Sequence, residues 1–118
     1  MTYAALEVDM DGPVAVVTLS RPERRNALDE QAVGELEHWF AQPPKDVRAI
    51  VLAARGPHFC AGLDLKEHYL KARSPAEFMR VCQGWHRAFD RIQHGGIPVV
   101  AAMQGAIVGG GLELAGAA

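Results

Sequence analysis

The stretch Gly105-Ala-Ile-Val-Gly109-Gly110-Gly111-Leu112-Glu113-Leu114-Ala115 decides how this chain folds. It follows the apolar run 97–103, whose β-branched residues and length predict a buried strand. Three consecutive glycines carry no Cβ atoms, so a ligand can approach their amide N–H groups closely. A short helix is predicted over residues 111–118, and unpaired amides at its N-terminus would favour negative charge. The pattern therefore indicates an anion site with one carboxylate, Glu113, beside it.

Two other glycine-rich phosphate sites do not fit these residues. A P-loop requires Lys and then Ser or Thr after its last glycine, where Leu112 and Glu113 stand. A dinucleotide fingerprint counted from Gly109 and Gly111 would need a small residue at Leu114. A flexible turn, with Glu113 interacting only with the helix dipole, stays open as the alternative.

Length and composition restrict the class of protein. A chain of 118 residues with 49% hydrophobic and 22% charged residues predicts one globular α/β domain with no membrane span. The N-terminal residues lack the pattern of a secretory signal, and a net charge of −2 with dispersed cations argues against a nucleic-acid partner. Cys60 and Cys82 have no CxxC spacing, so we expect a reducing cytoplasm and no metal site.

The first half of the chain predicts a hairpin, a helix and a third strand. Asp-Gly at 11–12 between apolar runs indicates a hairpin of residues 6–10 and 14–19. Apolar residues from Leu28 to Phe40 recur at helical spacing, with Asn26 or Asp29 as the N-cap. Residues 47–54 predict the next strand.

The second half predicts one long helix before the glycine stretch. Ser74-Pro-Ala-Glu77 is a capping box, and an apolar face follows that we expect to pack on the sheet. That face comprises Phe78, Val81, Cys82, Trp85, Phe89 and Ile92, whereas Glu77, Arg80, Arg87 and Arg91 should face solvent. The resulting order, ββα then βα then βα, predicts a largely parallel sheet. The loops at Ala61-Gly62 and Gly109-Gly110 should then meet at one edge.

Three motifs in order resemble the enoyl-CoA hydratase/isomerase (crotonase) family. They are Arg21-Pro22 with Asn26-Ala27-Leu28, Phe59-Cys-Ala-Gly-Leu-Asp-Leu65, and the glycine stretch from Gly105 to Ala115. The resemblance covers the whole chain and implies a crotonase-like spiral of ββα units. It also implies an acyl-CoA thioester as the partner, no cofactor apart from the coenzyme A of the substrate, and a homotrimer or hexamer.

The resemblance further implies an oxyanion hole and an acid/base residue. By motif matching, the N–H groups of Ala61 and Gly110 would hold the thioester oxygen, and preorganised donors of this kind suit a developing oxyanion. Glu113 matches the first of two glutamates that activate water in the family's hydratases. For Asp64 we favour a structural role in closing a turn onto local amides. The substrate-binding residues implied by the resemblance are Arg25, Ala27, Cys60, Ala61, Gly62, Leu63, Asp64, Leu65, Gly109 and Gly110.

Because the second glutamate is missing, we interpret residues 1–118 as the N-terminal part of a crotonase-like domain whose C-terminal part is absent. The leading hypothesis is hydration of a 2-enoyl-CoA. An isomerase, a hydrolase or a hydratase-lyase on another acyl-CoA would keep the oxyanion hole but change the chemistry. A non-catalytic binder of acyl-CoA or of a sister subunit is the third possibility.

Overall fold

The computed structural model describes residues 2–118 and contains four strands and four α-helices in mixed order. The elements are β1 (Leu6–Asp11), β2 (Val14–Leu19), α1 (Glu30–Ala41), β3 (Ala49–Ala54), α2 (Leu65–Lys71), α3 (Pro75–His94), β4 (Val99–Ala101) and α4 (Gly110–Gly116). The strands form one sheet in the order β1-β2-β3-β4. The predicted hairpin and the predicted α/β class are both confirmed.

The sheet begins as a hairpin and continues in parallel. β1 and β2 pair antiparallel around a tight turn in which Gly12 has a φ of 59°, a value that glycine adopts without strain. β3 and β4 then pair parallel, with Ile50 opposite Val99. Alternate residues of β2 are buried, so one face of the hairpin covers the core. The carboxyl ends of β3 and β4 consequently lie at one edge of the sheet.

Helix α1 covers the core as its periodicity predicts. Its N-cap is Asp29, whose carboxylate accepts the N–H of Ala32 at 2.8 Å. The alternative N-cap, Asn26, is instead buried beside the motif loops, with its side-chain amide donating to the carbonyls of Arg55 and His58. One charged residue also lies on the buried face, because Glu35 accepts the backbone N–H groups near the N-terminus.

Helix α3 has the predicted capping box at Ser74, and the predicted packing is found over part of its apolar face. Its close backbone contacts are with α1, and Ile92 joins the buried cluster that contains Ile50 and Leu52 of β3. Within its apolar face only Ile92 is fully buried, together with Ala88, whereas Phe78 and Trp85 stay half-buried. The expected face therefore packs into the core at Ile92, whereas Phe78 and Trp85 line a cavity described below. The four charged residues expected at the solvent face are exposed.

Two further elements differ from expectation. The apolar run 97–103 forms only the three-residue edge strand β4, and Val100 and Met103 are more than half exposed. The run is therefore not a buried strand, because β4 has a neighbour on one side only. Helix α2 was not predicted, since its apolar residues Leu65, Tyr69 and Leu70 face solvent and give no amphipathic pattern. None of the helices within residues 2–118 is long and apolar enough to cross a membrane.

Candidate active site

The second and third sequence motifs run side by side beyond the ends of β3 and β4. The N–H of Phe59 donates to the carbonyl of Gln104 at 2.7 Å, and that of Cys60 donates to Ala106 at 3.2 Å. The N–H of Val108 returns a bond to the carbonyl of Cys60 at 3.1 Å. These bonds continue the parallel pairing of the sheet into the glycine loops, as the order of elements predicts.

The first motif pairs with the other side of the second. Leu28 donates its N–H to the carbonyl of Gly62 at 2.7 Å and accepts the N–H of Asp64 at 2.9 Å. The N–H of Ala61 donates to the carbonyl of Arg25 at 3.0 Å. The segment 59–64 is therefore held between the other two motifs, and all three meet at one place.

Two glycines are required by the closeness of these segments. Gly62 has a φ of 92°, and a Cβ there would lie 2.7 Å from the carbonyl oxygen of Val108 and 3.1 Å from the nitrogen of Gly110. A Cβ on Gly110 would overlap the indole of Trp85, lying 2.6 Å from its Cη2 atom and closer still to Cζ3. Gly110 therefore lies directly against a side chain of α3.

A cavity of about 210 Å³ opens where the loops meet α3. Its lining residues come from the 59–64 loop, from α3 and from α4: Leu63, Phe78, Val81, Cys82, Trp85, His86, Gly110 and Glu113. Two larger cavities, of about 350 Å³ and about 690 Å³, are lined by α1 with α3 and by the N-terminal strand. Neither contacts Leu63 or Gly110, so the smaller cavity is the one that carries the motif residues.

The structure contradicts the assignment of Ala61 as an oxyanion donor. Its N–H is bonded to Arg25 and faces away from the glycine stretch. Leu28 and Leu63 form a parallel bridge, in which Leu28 bonds to the residues on either side of Leu63 and not to Leu63 itself. The N–H of Leu63 therefore points away from Leu28. Because Gly62 and Asp64 both bond to Leu28, the N–H of Leu63 faces the side of Gly110.

Two amides at the cavity are free to bind a ligand. Among the described residues, neither the N–H of Leu63 nor that of Gly110 has a hydrogen-bond acceptor. Both residues line the same cavity. The sequence correctly predicted a free amide at Gly110. Which amide of the 59–64 segment is free, that of Ala61 or that of Leu63, depends on how this segment pairs with Arg25 and Leu28.

Glu113 lies in the first turn of α4 and lines this cavity. Its own N–H donates to the carbonyl of Gly109 at 3.1 Å, which fixes the start of the helix. Its side chain is exposed and makes no ion pair or hydrogen bond within residues 2–118. An unpaired carboxylate therefore faces the same space as the two free amides.

Some of the predicted substrate-binding residues lie away from the cavity. The side chain of Cys60 is fully buried in the core, where its thiol contacts the carbonyl of Asn26 at 3.2 Å, and burial raises the pKa of this thiol. Leu65 is 60% exposed at the start of α2. Gly109 does not line the cavity but, as N-cap of α4 with a φ of 53°, turns the chain into the helix.

The first motif lies on the far side of the 59–64 loop. Arg25 has a φ of 53° and an exposed side chain, and its carbonyl occupies the N–H of Ala61. Ala27 is half-buried beside it. Neither residue lines the cavity, so their predicted role near coenzyme A concerns the outer surface of the loop.

Asp64 has the structural role that we favoured for it. Its carboxylate caps α2 by accepting the N–H of Glu67 at 3.1 Å and pairs with Arg24 at 3.2 Å. The side chain is buried and does not reach the cavity. Within residues 2–118 no three His, Cys, Asp or Glu side chains lie close enough together to hold a metal ion.

Comparison with known proteins agrees with the three motifs. Residues 9–118 match the family model for enoyl-CoA hydratase/isomerase. An enoyl-CoA isomerase/hydratase of Mycosarcoma maydis is 37% identical over 125 residues, a match that covers 95% of this chain and 45% of that protein.

Solved structures share the fold. A crystal structure from Rhodopseudomonas palustris CGA009, named as an enoyl-CoA hydratase, has a TM-score of 0.91 at 45% identity and is matched over 46% of its length by the whole of this chain. Another from Thermobifida fusca YX, solved in complex with CoA, has a TM-score of 0.85 at 31% identity, and the match covers 97% of this chain and 47% of that one. The chain thus spans less than half the length of these relatives and has the predicted crotonase-like fold. Since the family model covers nearly all of its residues, the chain belongs to the enoyl-CoA hydratase/isomerase family.

Proposed function

We propose that the cavity binds the thioester of an acyl-CoA, with the N–H groups of Leu63 and Gly110 donating to its carbonyl oxygen. The observation that carries this proposal is that two amides without acceptors within residues 2–118 line one cavity, together with a carboxylate that has no partner in that range. Donors held by the backbone need no reorganisation when negative charge develops, and losing one typically costs about 10²–10³ in rate. The CoA complex of the Thermobifida fusca relative supports the same class of ligand.

The proposed reaction is the hydration of a 2-enoyl-CoA, with Glu113 as an acid/base group. The carboxylate takes a proton from water while the water oxygen bonds to C3, and the π electrons move onto the thioester oxygen between the two amides. Delivery of a proton to C2 completes the addition, and we propose that the second acid lies in a segment beyond residue 118. Glu113 suits the first role because no cation pairs with it within the described residues.

Glu113→Gln in the complete protein tests the reaction. The substitution keeps the size of the side chain but removes proton transfer, so hydration of a short 2-enoyl-CoA should fall by about 10²–10⁴ while acyl-CoA affinity changes little. Glu23→Gln is the matched control, because Glu23 is exposed and lies outside the cavity. Unchanged hydration in Glu113→Gln with an intact melting curve would exclude the hydratase mechanism.

An isomerase is the second candidate, because the Mycosarcoma maydis relative is named for both reactions. It would use the same oxyanion site but would move the double bond without adding water. Analysis of the product distinguishes the two, since only hydration introduces a hydroxyl oxygen that carries the isotope of labelled water. A hydrolase would release free coenzyme A, a hydratase-lyase would also cleave a carbon–carbon bond, and a binder would give no product.

For the complete protein we propose a homotrimer or hexamer in the cytoplasm with no cofactor apart from the substrate's own coenzyme A. The apolar side chains of α2, Leu65, Tyr69 and Leu70, support assembly because they are mostly exposed to solvent. Sedimentation analysis would detect the oligomer, and a monomer at all concentrations would contradict this part of the proposal.

A further inference from the structure

One residue of the cavity does not match the apolar wall around it. Helix α3 contributes Phe78, Val81, Cys82 and Trp85, which form an apolar and partly aromatic surface. His86 lines the same cavity directly after Trp85, and its side chain is also exposed to solvent. Neither the oxyanion site nor the role of Glu113 uses this imidazole, so the proposed reaction leaves it without a function.

His86 also differs from the other histidines of the chain. His38 bonds to the hydroxyl of Tyr3, His58 accepts the N–H of Ala106, His68 contacts Arg73 and His94 pairs with Asp90. Within residues 2–118, His86 has no such partner. A neutral imidazole carries one donor and one acceptor nitrogen, and both are therefore available to a ligand in the cavity.

We infer that His86 is a specificity-determining residue that selects acyl groups carrying a hydrogen-bonding oxygen, such as a hydroxyl, beyond the reacting carbons. This inference rests on the proposed acyl-CoA function of the same cavity. A purely apolar wall distinguishes weakly between a methyl group and a hydroxyl, whereas a site with a hydrogen-bonding group prefers the polar acyl chain. The rings of Phe78 and Trp85, which line the same cavity, would contact the carbon chain.

Binding of two isosteric ligands to the complete protein tests this inference. 4-Hydroxybutyryl-CoA and pentanoyl-CoA have acyl groups of equal length, and they differ by a hydroxyl in place of a methyl. Isothermal titration calorimetry would give both affinities for the wild type, His86→Leu and His86→Gln. His94→Leu is the matched control, because His94 is exposed on the same helix, as His86 is, but does not line the cavity.

We expect the wild type to bind the hydroxylated ligand about tenfold more tightly, as one hydrogen bond in a partly hydrated site allows. His86→Leu should abolish or reverse this preference, His86→Gln should restore part of it, and His94→Leu should leave it unchanged. Equal binding of both ligands by the wild type, or an unchanged ratio in His86→Leu, would overturn the inference.

Two other results separate this inference from the function on which it rests. If neither the wild type nor any variant binds either ligand, the assignment of the cavity as an acyl-CoA site is wrong, and the inference fails with it. If His86→Leu keeps the affinity ratio but slows hydration of both polar and apolar substrates equally, His86 transfers protons and does not select the acyl group. That result would also overturn the inference.

Discussion

Replacement of Gly110 by alanine tests the close packing at the centre of the proposed site. A Cβ at this position would lie 2.6 Å from Cη2 of Trp85 and closer to Cζ3, whereas carbon atoms in contact prefer about 3.5–4.0 Å. Gly110 does not have a positive φ, so the backbone accepts alanine and the clash is with the indole alone. We expect Gly110→Ala to lower the free energy of unfolding by about 1–3 kcal/mol, as is typical of overpacking.

A double-mutant cycle shows whether Trp85 causes this loss. Trp85→Ala removes the ring and should itself cost less than the about 3–5 kcal/mol of a fully buried aromatic truncation, since Trp85 is half-buried. In that background Gly110→Ala should be nearly neutral, which gives a coupling energy of about 1–3 kcal/mol between the two sites. Urea unfolding followed by circular dichroism measures all four proteins without depending on the lost tryptophan.

Gly34→Ala is the control for the effect of alanine itself. Gly34 lies inside α1, and a Cβ added there would have no atom of another element within 4 Å among residues 2–118. Alanine should therefore stabilise the protein by about 0.5–1 kcal/mol. If Gly110→Ala costs the same with and without the indole, the clash is not with Trp85, and the described position of α3 over the glycine stretch is wrong.

Two further predictions concern side chains beside the site. Asp64→Ala should lower the free energy of unfolding by about 0.5–2 kcal/mol through loss of the α2 cap, whereas Asp64→Asn should retain most of the cap. If urea unfolding shows the same loss of stability in both variants, the ion pair with Arg24 contributes more than the cap. Because burial raises the pKa of Cys60, less of its reactive thiolate is present at a given pH. Iodoacetamide should therefore modify Cys82 first, and mass spectrometry that finds Cys60 modified first in the folded protein would contradict this burial.

Local sequence signals were sufficient for several elements. The Asp-Gly turn specifies the β1–β2 hairpin, the capping box at Ser74 specifies the start of α3, and the apolar spacing of α1 specifies its buried face. Each signal depends on residues close together in the chain. The convergence of the two glycine loops followed from strand order alone, since parallel strands end at the same edge.

The remaining features depend on partners distant in sequence. Whether Ala61 or Leu63 has a free N–H depends on the pairing of segment 59–64 with Leu28, which lies more than thirty positions away. The face of α3 is equally apolar whether it meets a sheet or a cavity, so its periodicity did not identify Trp85 and His86 as cavity residues. The apolar residues of α2 are exposed and give no periodic signal, so only its N-cap, Asp64, could have predicted this helix from the sequence.

The most direct test of the proposed oxyanion site is the response of individual backbone amides to a ligand. In a ¹H–¹⁵N nuclear magnetic resonance titration of the chain with butyryl-CoA, we expect the amide protons of Leu63 and Gly110 to shift downfield and to exchange more slowly with solvent. The amide of Ala61 should keep its resonance, because its bond to the carbonyl of Arg25 does not change. A large shift of the Ala61 amide, or saturable binding that leaves both Leu63 and Gly110 unperturbed, would contradict the assignment of these two donors.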